Sequence, residues 1–597
     1  MASRIEDYAL IGDCLTSALV SSDGSMDWLC FPRFDSPACF AALIGRPENG
    51  RWKIAPAAEV RAVRRRYRGD TLILETDFEA DHGAVTLIDY MPIQSGTSDV
   101  VRVVQGRRGE VPMHMELIIR TDYGSTVPWV RHTDRGIRAL AGPDTLYCTS
   151  DVPMHGEDLH TVADFTVVEG QTVSFNLTWS PTHRARSFDQ DWRQSLPATE
   201  KWWKRWAGRC TYHGEWRDAV VRSLLTLKAL TYRPTGAIVA APTTSLPERI
   251  GGIRNWDYRY CWLRDATFTL YALLTGGYIK EAKDWREWLV RAVAGTPSEI
   301  QIMYGLRGER RLTEQELGWL GGYEGSVPVR IGNGAHKQFQ LDVYGEVIAS
   351  MHLAREAGLA EDENAWRVQR DLLKFLESGW KEPDEGIWEV RGPRRHFTHS
   401  KVLAWVAVDR AVKAVEKYRL GGDVNQWRAL RQEIHDDVCR QGFDPARNSF
   451  MQYYGSKDPD ASLLVLPLVG FLPASDPRIQ GTLALIRREL SDGPFVYRYP
   501  PAQNVDGLPA GEGAFLLCTF WLADNLALQG CHTEAREILE QMLALRNDVG
   551  LLPEQYSIVD RRFLGNFPQA FSHVGLINTA RTLRPQLGPA VPPMPAY

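Results

Sequence analysis

Two different periods of apolar residues divide the chain. From the start to about residue 185 they come in short runs cut by Gly, Asp and Pro: "TLILETDFE", "AVTLIDYMPI", "VVRVVQG", "MHMELIIRTDYG", "TLYCTS", "TVADFTVVEG" and "TVSFNLTWSP". "TSALVSSDGSMDWLCF" (16–31) adds two runs flanking Asp23-Gly24, a hairpin signal. Many short strands with no long helical pattern between them predict an antiparallel β-sandwich. After "SPTHRARS" the period becomes helical. Residues 196–209 read as a connecting helix, with Pro197 in its first turn and Trp202, Trp203 and Trp206 at helical spacing. The expected division is a β-sandwich over 1–190, a linker helix within 191–214 and a helical domain over 215–597.

That helical part shows about twelve amphipathic segments, near 215–232, 262–277, 279–294, 340–357, 361–378, 398–417, 423–440, 459–471, 476–490, 512–529, 532–546 and 568–583. Links from an even to an odd segment are short, whereas links from an odd to an even one run far beyond the ~2–8 residues usual between packed helices. In antiparallel helix pairs all odd-to-even links emerge on one face. One face is therefore trimmed, and the other collects the irregular backbone on which function tends to sit. Twelve helices alternating in this way predict six hairpins closed into a ring, an (α/α)6 barrel. An open solenoid is the other arrangement, but no motif recurs at a fixed period to mark one.

Composition narrows the chemistry only a little. The 597 residues are 44% hydrophobic and 24% charged, with a net charge of −5 and interleaved signs, which disfavours nucleic acid and anionic membranes as partners. The N-terminal stretch has no basic region followed by an apolar run, and no segment approaches the ~18 apolar residues that read as a membrane span. Nine scattered cysteines without CxxC pairs fit reduced thiols in a cytoplasmic protein. Twenty tryptophans first suggest core filling, although Trp also offers flat faces on which sugar rings stack.

Three stretches on the long-loop face carry candidate chemistry. "GIWEVRG" (386–392) sets Glu389 between Ile387, Trp388 and Val390. If that apolar wall is buried, the carboxyl keeps a proton at neutral pH and is a candidate general acid. "GLLPEQYS" (550–557) sets Glu554 among Leu551, Leu552 and Tyr556. Each alone reads most simply as a solvated loop acid. Two at one barrel mouth are the pair that glycosidic bond cleavage needs, one to protonate the leaving oxygen and one to activate water or attack. "RNWDYRYCWLRDATF" (254–268) places Trp256, Tyr258, Tyr260 and Trp262 at alternate positions, on one side of an extended segment, followed by Arg264-Asp265. An adjacent charge pair is costly to bury alone, and a hydroxyl-rich ligand would satisfy both groups. No zinc spacing, phosphate loop or GxSxG elbow competes with this chemistry.

These stretches, with "FTHSKVLAW", "RYP…GEGAFLLCTFWLADNL" and "GNFPQAFSHVGLI", resemble the ordered signatures of glycoside hydrolase family 15, which includes glucoamylases, glucodextranases and bacterial trehalases. "YALIGDC…SSDGSMDWLCFPRFDSPACF" resembles the N-terminal domain of the bacterial trehalase-like branch, so the likeness spans nearly the whole chain. It implies a β-sandwich followed by an (α/α)6 barrel and an inverting, exo-acting α-glucosidase without metal or organic cofactor. By the same resemblance Glu389 is the general acid and Glu554 the general base. Arg264 and Asp265 bind the 4- and 6-hydroxyls of the terminal glucose, Tyr258 lies near the catalytic water, and Trp262, Trp388 and Arg498 contact sugar. Val390 stands where fungal glucoamylases carry a second acid, which argues against starch-type recognition, and the N-terminal resemblance points to trehalose, with isomaltose- or maltose-type glucosides next. A glycoside phosphorylase and a catalytically dead sugar-binding protein are the alternatives of other classes. The expected partner is a small oligosaccharide, and a homo-oligomer is compatible with the composition.

Overall fold

The computed structural model describes residues 3–93, 98–183, 191–360, 362–500, 507–509 and 511–584. The N-terminal part is antiparallel throughout, in two layers that share one long strand, Ser98–Ile118. Its first half pairs with Gly83–Tyr90 and Thr172–Pro181, and its second half with Arg51–Pro56 and His160–Val168. The sequence suggests two strands here, because Gly106 and Gly109 interrupt the apolar run. The structure carries the strand across both layers, and the exposed stretch 107–110 bridges them. The hairpin at Asp23-Gly24 forms between Ser17–Ser21 and Ser25–Cys30. Strands end at Pro181; the expected boundary near 185–190 lies outside the described residues.

Helix α1 (Trp192–Ala207) begins four residues before the expected start, because the Asp191 carboxylate accepts from the Arg193 amide and caps it there. Pro197 consequently lies inside the helix rather than in its first turn. Trp206 stacks on Tyr278, 4.0 Å between ring centroids, and donates to Glu281, fixing α1 to the helical domain.

The helices of that domain are α2 (Arg217–Ala229), α3 (Leu263–Thr275), α4 (Ile279–Ala292), α5 (Asp342–Glu356), α6 (Glu363–Gly379), α7 (Thr398–Tyr418), α8 (Val424–Gln441), α9 (Val465–Leu468), α10 (Pro477–Glu489), α11 (Leu516–Leu528), α12 (His532–Leu545) and α13 (Ala570–Thr582). Helices α3, α5, α7, α9, α11 and α13 form an inner ring in which each touches the next and α13 closes on α3. Inner helices such as α5 are buried at nearly every position, whereas outer α8 buries only Trp427, Leu430, Ile434 and Val438. At Gly345, on α5, a Cβ would stand 2.2 Å from the Leu403 carbonyl, so glycine permits the close approach of α5 and α7. The alternation of short and long links is thus the alternation of a closed double ring of helices. The eighth segment departs from expectation: a 3-10 turn (Ala461–Leu464) precedes the single turn α9, which contains Pro467.

The two parts meet over the segment before α3. Asp257 and Arg259 are both fully buried and paired at 2.6 Å. Arg259 reaches into the N-terminal layers, donating to the Ser36 carbonyl at 3.0 Å, with its guanidinium 5.3 Å from the Tyr123 ring centroid. Asp257 also accepts the Gly332 amide at 3.1 Å. Removing one partner strands a buried charge, so Arg259→Leu should cost about 3–5 kcal/mol of stability. The double variant Asp257→Asn/Arg259→Leu should recover much of it. Thermal melts of the three proteins test this, and a double variant no better than Arg259→Leu would show that the guanidinium's contacts to the N-terminal layers, not its charge pairing, dominate.

Candidate active site

On the long-loop face the helical ring opens into a cavity whose empty space, with the open solvent at its mouth, is about 670 Å3. Tyr258, Trp262, Arg264, Asp265, Trp388, Glu389, Arg498 and Glu554 all line it. Residues up to about three hundred positions apart in sequence therefore share one cavity.

Segment 254–262 supplies the centre of the site. Backbone alternation sends Asp257 and Arg259 toward the N-terminal layers and Trp256 and Tyr258 into the cavity. Tyr260 breaks the expected aromatic stripe. The strand Asn255–Asp257 stops, a second begins at Cys261, and Tyr260 is buried beside Asp257, Arg259, Tyr123 and Asp35 instead. Tyr258 and Trp262 meet edge to face, 5.4 Å between centroids. Each holds one carboxylate: the Tyr258 hydroxyl donates to Glu554 Oε1 at 2.8 Å, and the Trp262 indole N–H to Glu389 Oε1 at 2.7 Å.

Glu389 sits in a tight turn with φ +57°, a left-handed conformation that costs a non-glycine residue about 1–2 kcal/mol. The Gln338 side-chain amide holds the turn by donating to the carbonyls of Glu389 and Val390, at 3.1 and 3.2 Å. Gln338 lies in the stretch 336–347, to which the sequence alone assigns no role. Ile387, Trp388 and Val390 are buried, as the apolar flanks suggest, but they do not enclose the carboxyl. The Glu389 side chain is 22% exposed, turns into the cavity, and lies 3.7 Å from the Arg264 guanidinium. The wall shapes the loop rather than drying the acid. Trp388 donates to both oxygens of Asp460, at 2.9 and 3.1 Å, and the same carboxylate caps the short turn before α9.

Arg264 closes the floor. It donates to the Ile387 carbonyl at 2.5 Å and to Asp265 at 3.2 Å, with Phe571 beneath it. Burial pushes the Asp265 carboxyl up to about 6 against the pull of Arg264. Behind, on α5, burial also raises Asp342, to about 6, and raises Glu346 well above the usual carboxylate range, so one guanidinium serves a set of enclosed acids.

The opposite wall carries residues that sequence reasoning missed. Arg498 bridges Glu512 and Glu248, the latter at 3.1 Å, and Arg254 lies 3.6 Å from each of the same two carboxylates. Glu512 falls in the quoted stretch "GEGAFLLCTFWLADNL" and Arg254 opens "RNWDYRYCWLRDATF", yet neither residue is singled out there. Glu248 falls in the long link before α3, and its place on the long-loop face is the one signal that pointed to it. With Glu554 the cluster has three carboxyls to two guanidiniums. Glu554 is 3% exposed, and burial together with the neighbouring charge of Glu248 pushes it up to about 8, opposed by Arg498 and the Tyr258 hydroxyl. Its strand, Gln555–Ser557, is locked between Ala514–Phe515 and Arg562–Leu564. Gly565 (φ +76°) makes room for it, since a Cβ there would stand 2.3 Å from Glu554 Oε2. Two carboxyls of one cavity thus stand in different surroundings, one exposed to the cavity and one enclosed, where burial favours its protonated form.

Because the Glu248 charge raises Glu554, Glu248→Gln should lower the midpoint at which Glu554 gains its proton. An infrared titration of the protonated-carboxyl band reads this, with Glu554→Gln assigning the band; a midpoint unmoved or raised would contradict the coupling.

Comparison with known proteins places these features in a family. A family model described as glycosyl hydrolases family 15 matches residues 214–581, and one described as trehalase-like, N-terminal, matches 1–175. The chain is 38% identical over 605 residues to "Trehalase" of Mycolicibacterium smegmatis, covering 96% of this chain and 90% of that protein. It is 36% identical over 573 residues to "Trehalase" of Thermoplasma acidophilum, covering 95% and 98%. Among solved structures its fold is similar to that of a bacterial glucoamylase crystallised with acarbose, with a TM-score of 0.73 and 12% identity over 98% of this chain and 94% of that one.

Proposed function

The chain belongs to glycosyl hydrolase family 15, and from that premise we propose that it hydrolyses trehalose to two glucose molecules with inversion at the attacked carbon. The observation that carries this is the pair of carboxyls held across one cavity by Tyr258 and Trp262. The relatives from Mycolicibacterium smegmatis and Thermoplasma acidophilum, both trehalases matched along nearly the whole chain, favour trehalose over isomaltose- or maltose-type glucosides. Val390 in place of a second acid agrees with that choice.

In the proposed mechanism the terminal glucose occupies the floor against Arg264, Asp265, Trp388 and Phe571. Glu389 stands on the loop that continues to Arg391 at the open side, where the leaving sugar departs, and protonates the glycosidic oxygen as the C1–O bond breaks. Water attacks C1 from the other face and gives its proton to Glu554. Inversion requires room for that water, with the carboxyls about 6.5–9.5 Å apart. No step calls on a metal or an organic cofactor. Glu554 must be ionised to act as base.

The raised pKa of Glu554 supports a second reading, in which Glu554 is the acid and Glu389 the base. The two are separable with α-glucosyl fluoride, whose leaving group does not depend on an acid. Under the first reading, Glu389→Gln loses about 10²–10⁴-fold on trehalose yet keeps most of its turnover of the fluoride. Glu554→Gln loses both. The opposite pattern would exchange the roles. Proton NMR of the first products checks the stereochemistry: inversion yields one β- and one α-glucose per trehalose, whereas α-glucose alone, or phosphate-dependent glucose 1-phosphate, would overturn the mechanism.

Among the described residues no helix is long and apolar enough to cross a membrane. All nine cysteines are free thiols, which supports a cytoplasmic setting.

A further inference from the structure

We propose that Arg391, held by Glu314 against Trp256, is the group that binds the leaving sugar and selects a second pyranose at the open end of the cavity. The proposal rests on the reading of the floor as the pocket for the transferred glucose. Of the two residues after Glu389, Val390 is turned into the protein and buried, whereas Arg391 lines the cavity with its side chain 36% exposed. The loop that presents the proposed acid therefore also presents a cation toward the mouth.

How that cation is held decides what it can recognise. Two guanidiniums lie on the Trp256 ring, Arg391 at 4.1 Å and Arg330 at 4.7 Å from the centroid. Like charges meeting on one ring need an anion, and Glu314 supplies it, 3.4 Å from Arg391 and 3.6 Å from Arg330. Glu314 also accepts the Gly334 amide at 2.9 Å, tying it to Asn333 and Ala335, which line the same cavity. Arg330 is committed elsewhere: it is buried and donates to the Ile253 carbonyl at 2.8 Å. For Arg391, Glu314 is the one hydrogen-bond acceptor among the described residues, so most of its five N–H donors remain for a ligand.

Trp256, covered by cations, is poorly placed to act as a stacking platform. The mouth consequently favours a hydroxyl-rich leaving group, recognised by charged donors, over an apolar aglycone. The 295–339 link reaches the cavity with Asn333 and Ala335 and holds Arg391 through Glu314, and Leu508 also lines the cavity.

The test compares a substrate with a leaving sugar and one without. For Arg391→Ala, kcat/KM should fall roughly 10–100-fold on the disaccharide the wild type turns over best, the loss expected for a charge-assisted hydrogen bond. On α-glucosyl fluoride it should stay within about threefold, and retained fluoride turnover also reports an intact fold. Glu314→Gln, which loosens Arg391, should show the same selectivity at a smaller amplitude. An equal loss on both substrates, or no loss on the disaccharide, would overturn the proposal. Because the disaccharide arm uses whichever sugar the wild type accepts, a failure of trehalose as substrate and a failure of Arg391 read out separately.

Discussion

The buried ion pair between Asp257 and Arg259 is the constraint from which the site takes its shape. A charge pair two residues apart on an extended segment must point to one side, and here that side is the joint between the N-terminal layers and the helical ring. The intervening Tyr258 is then forced to the other side, into the cavity, where it holds Glu554. Asp257 also takes the Gly332 amide, so the long 295–339 link is pinned by the same carboxylate. The N-terminal sheet therefore does more than precede the helical domain. It supplies the wall against which the segment before α3 is set, and Trp28, donating to the Pro242 carbonyl at 2.8 Å, fastens that segment's link a little upstream.

From that segment outward, electrostatics is governed by a shortage of cations. At one end Arg264 alone serves Asp265 and Glu389 within the cavity, with Asp342 and Glu346 behind it. At the other, Arg254 and Arg498 serve Glu248, Glu512 and Glu554. Glu248 and Glu512 each sit near both guanidiniums, whereas Glu554 accepts its hydrogen bond from a phenol. Burial and the Glu248 charge therefore favour a proton on Glu554, the carboxyl that the proposed mechanism uses as base, and Glu248 tunes it without touching the reacting atoms of that mechanism.

What the sequence makes legible is governed by range. Periodicity and link length are local, and they sufficed for the strand-to-helix transition, for the helical ring and for the face on which the site lies. The apolar neighbours of Glu389 are local too, but their meaning is not: they are buried, yet the left-handed turn at Glu389 rotates the carboxyl away from them into the cavity. Tyr260 misled for a related reason, since a stripe of alternate aromatics lasts only as long as the strand, and this strand ends at Asp257. Glu248, Arg254 and Glu512 stayed hidden because the cluster joins two distant pairs: Arg254 with Glu248 nearby in the chain, and Arg498 with Glu512, which meets the first pair across 250 positions. No spacing rule joins the two pairs. Gln338 was invisible on the same grounds, as its acceptors are main-chain carbonyls that no sequence pattern marks.

The proposed acid and the mouth are linked because one loop carries both. In the proposed reading Glu389 faces the sugar being cleaved and Arg391 the sugar being released, with Val390 between them anchored through its carbonyl to Gln338. Any shift of this loop moves proton donor and aglycone site together, which keeps the proton close to the oxygen of a correctly seated leaving sugar. The floor is closed by Arg264 and Asp265 with α5 packed behind, so a chain cannot thread past it. In the proposed reading only a terminal glucose enters, and Arg391 at the open end meets the sugar attached to it. A cavity closed at its floor with a cation at its rim favours a terminal glucose that carries a hydroxyl-rich leaving group, and that preference does not depend on the absence of a second acid at position 390.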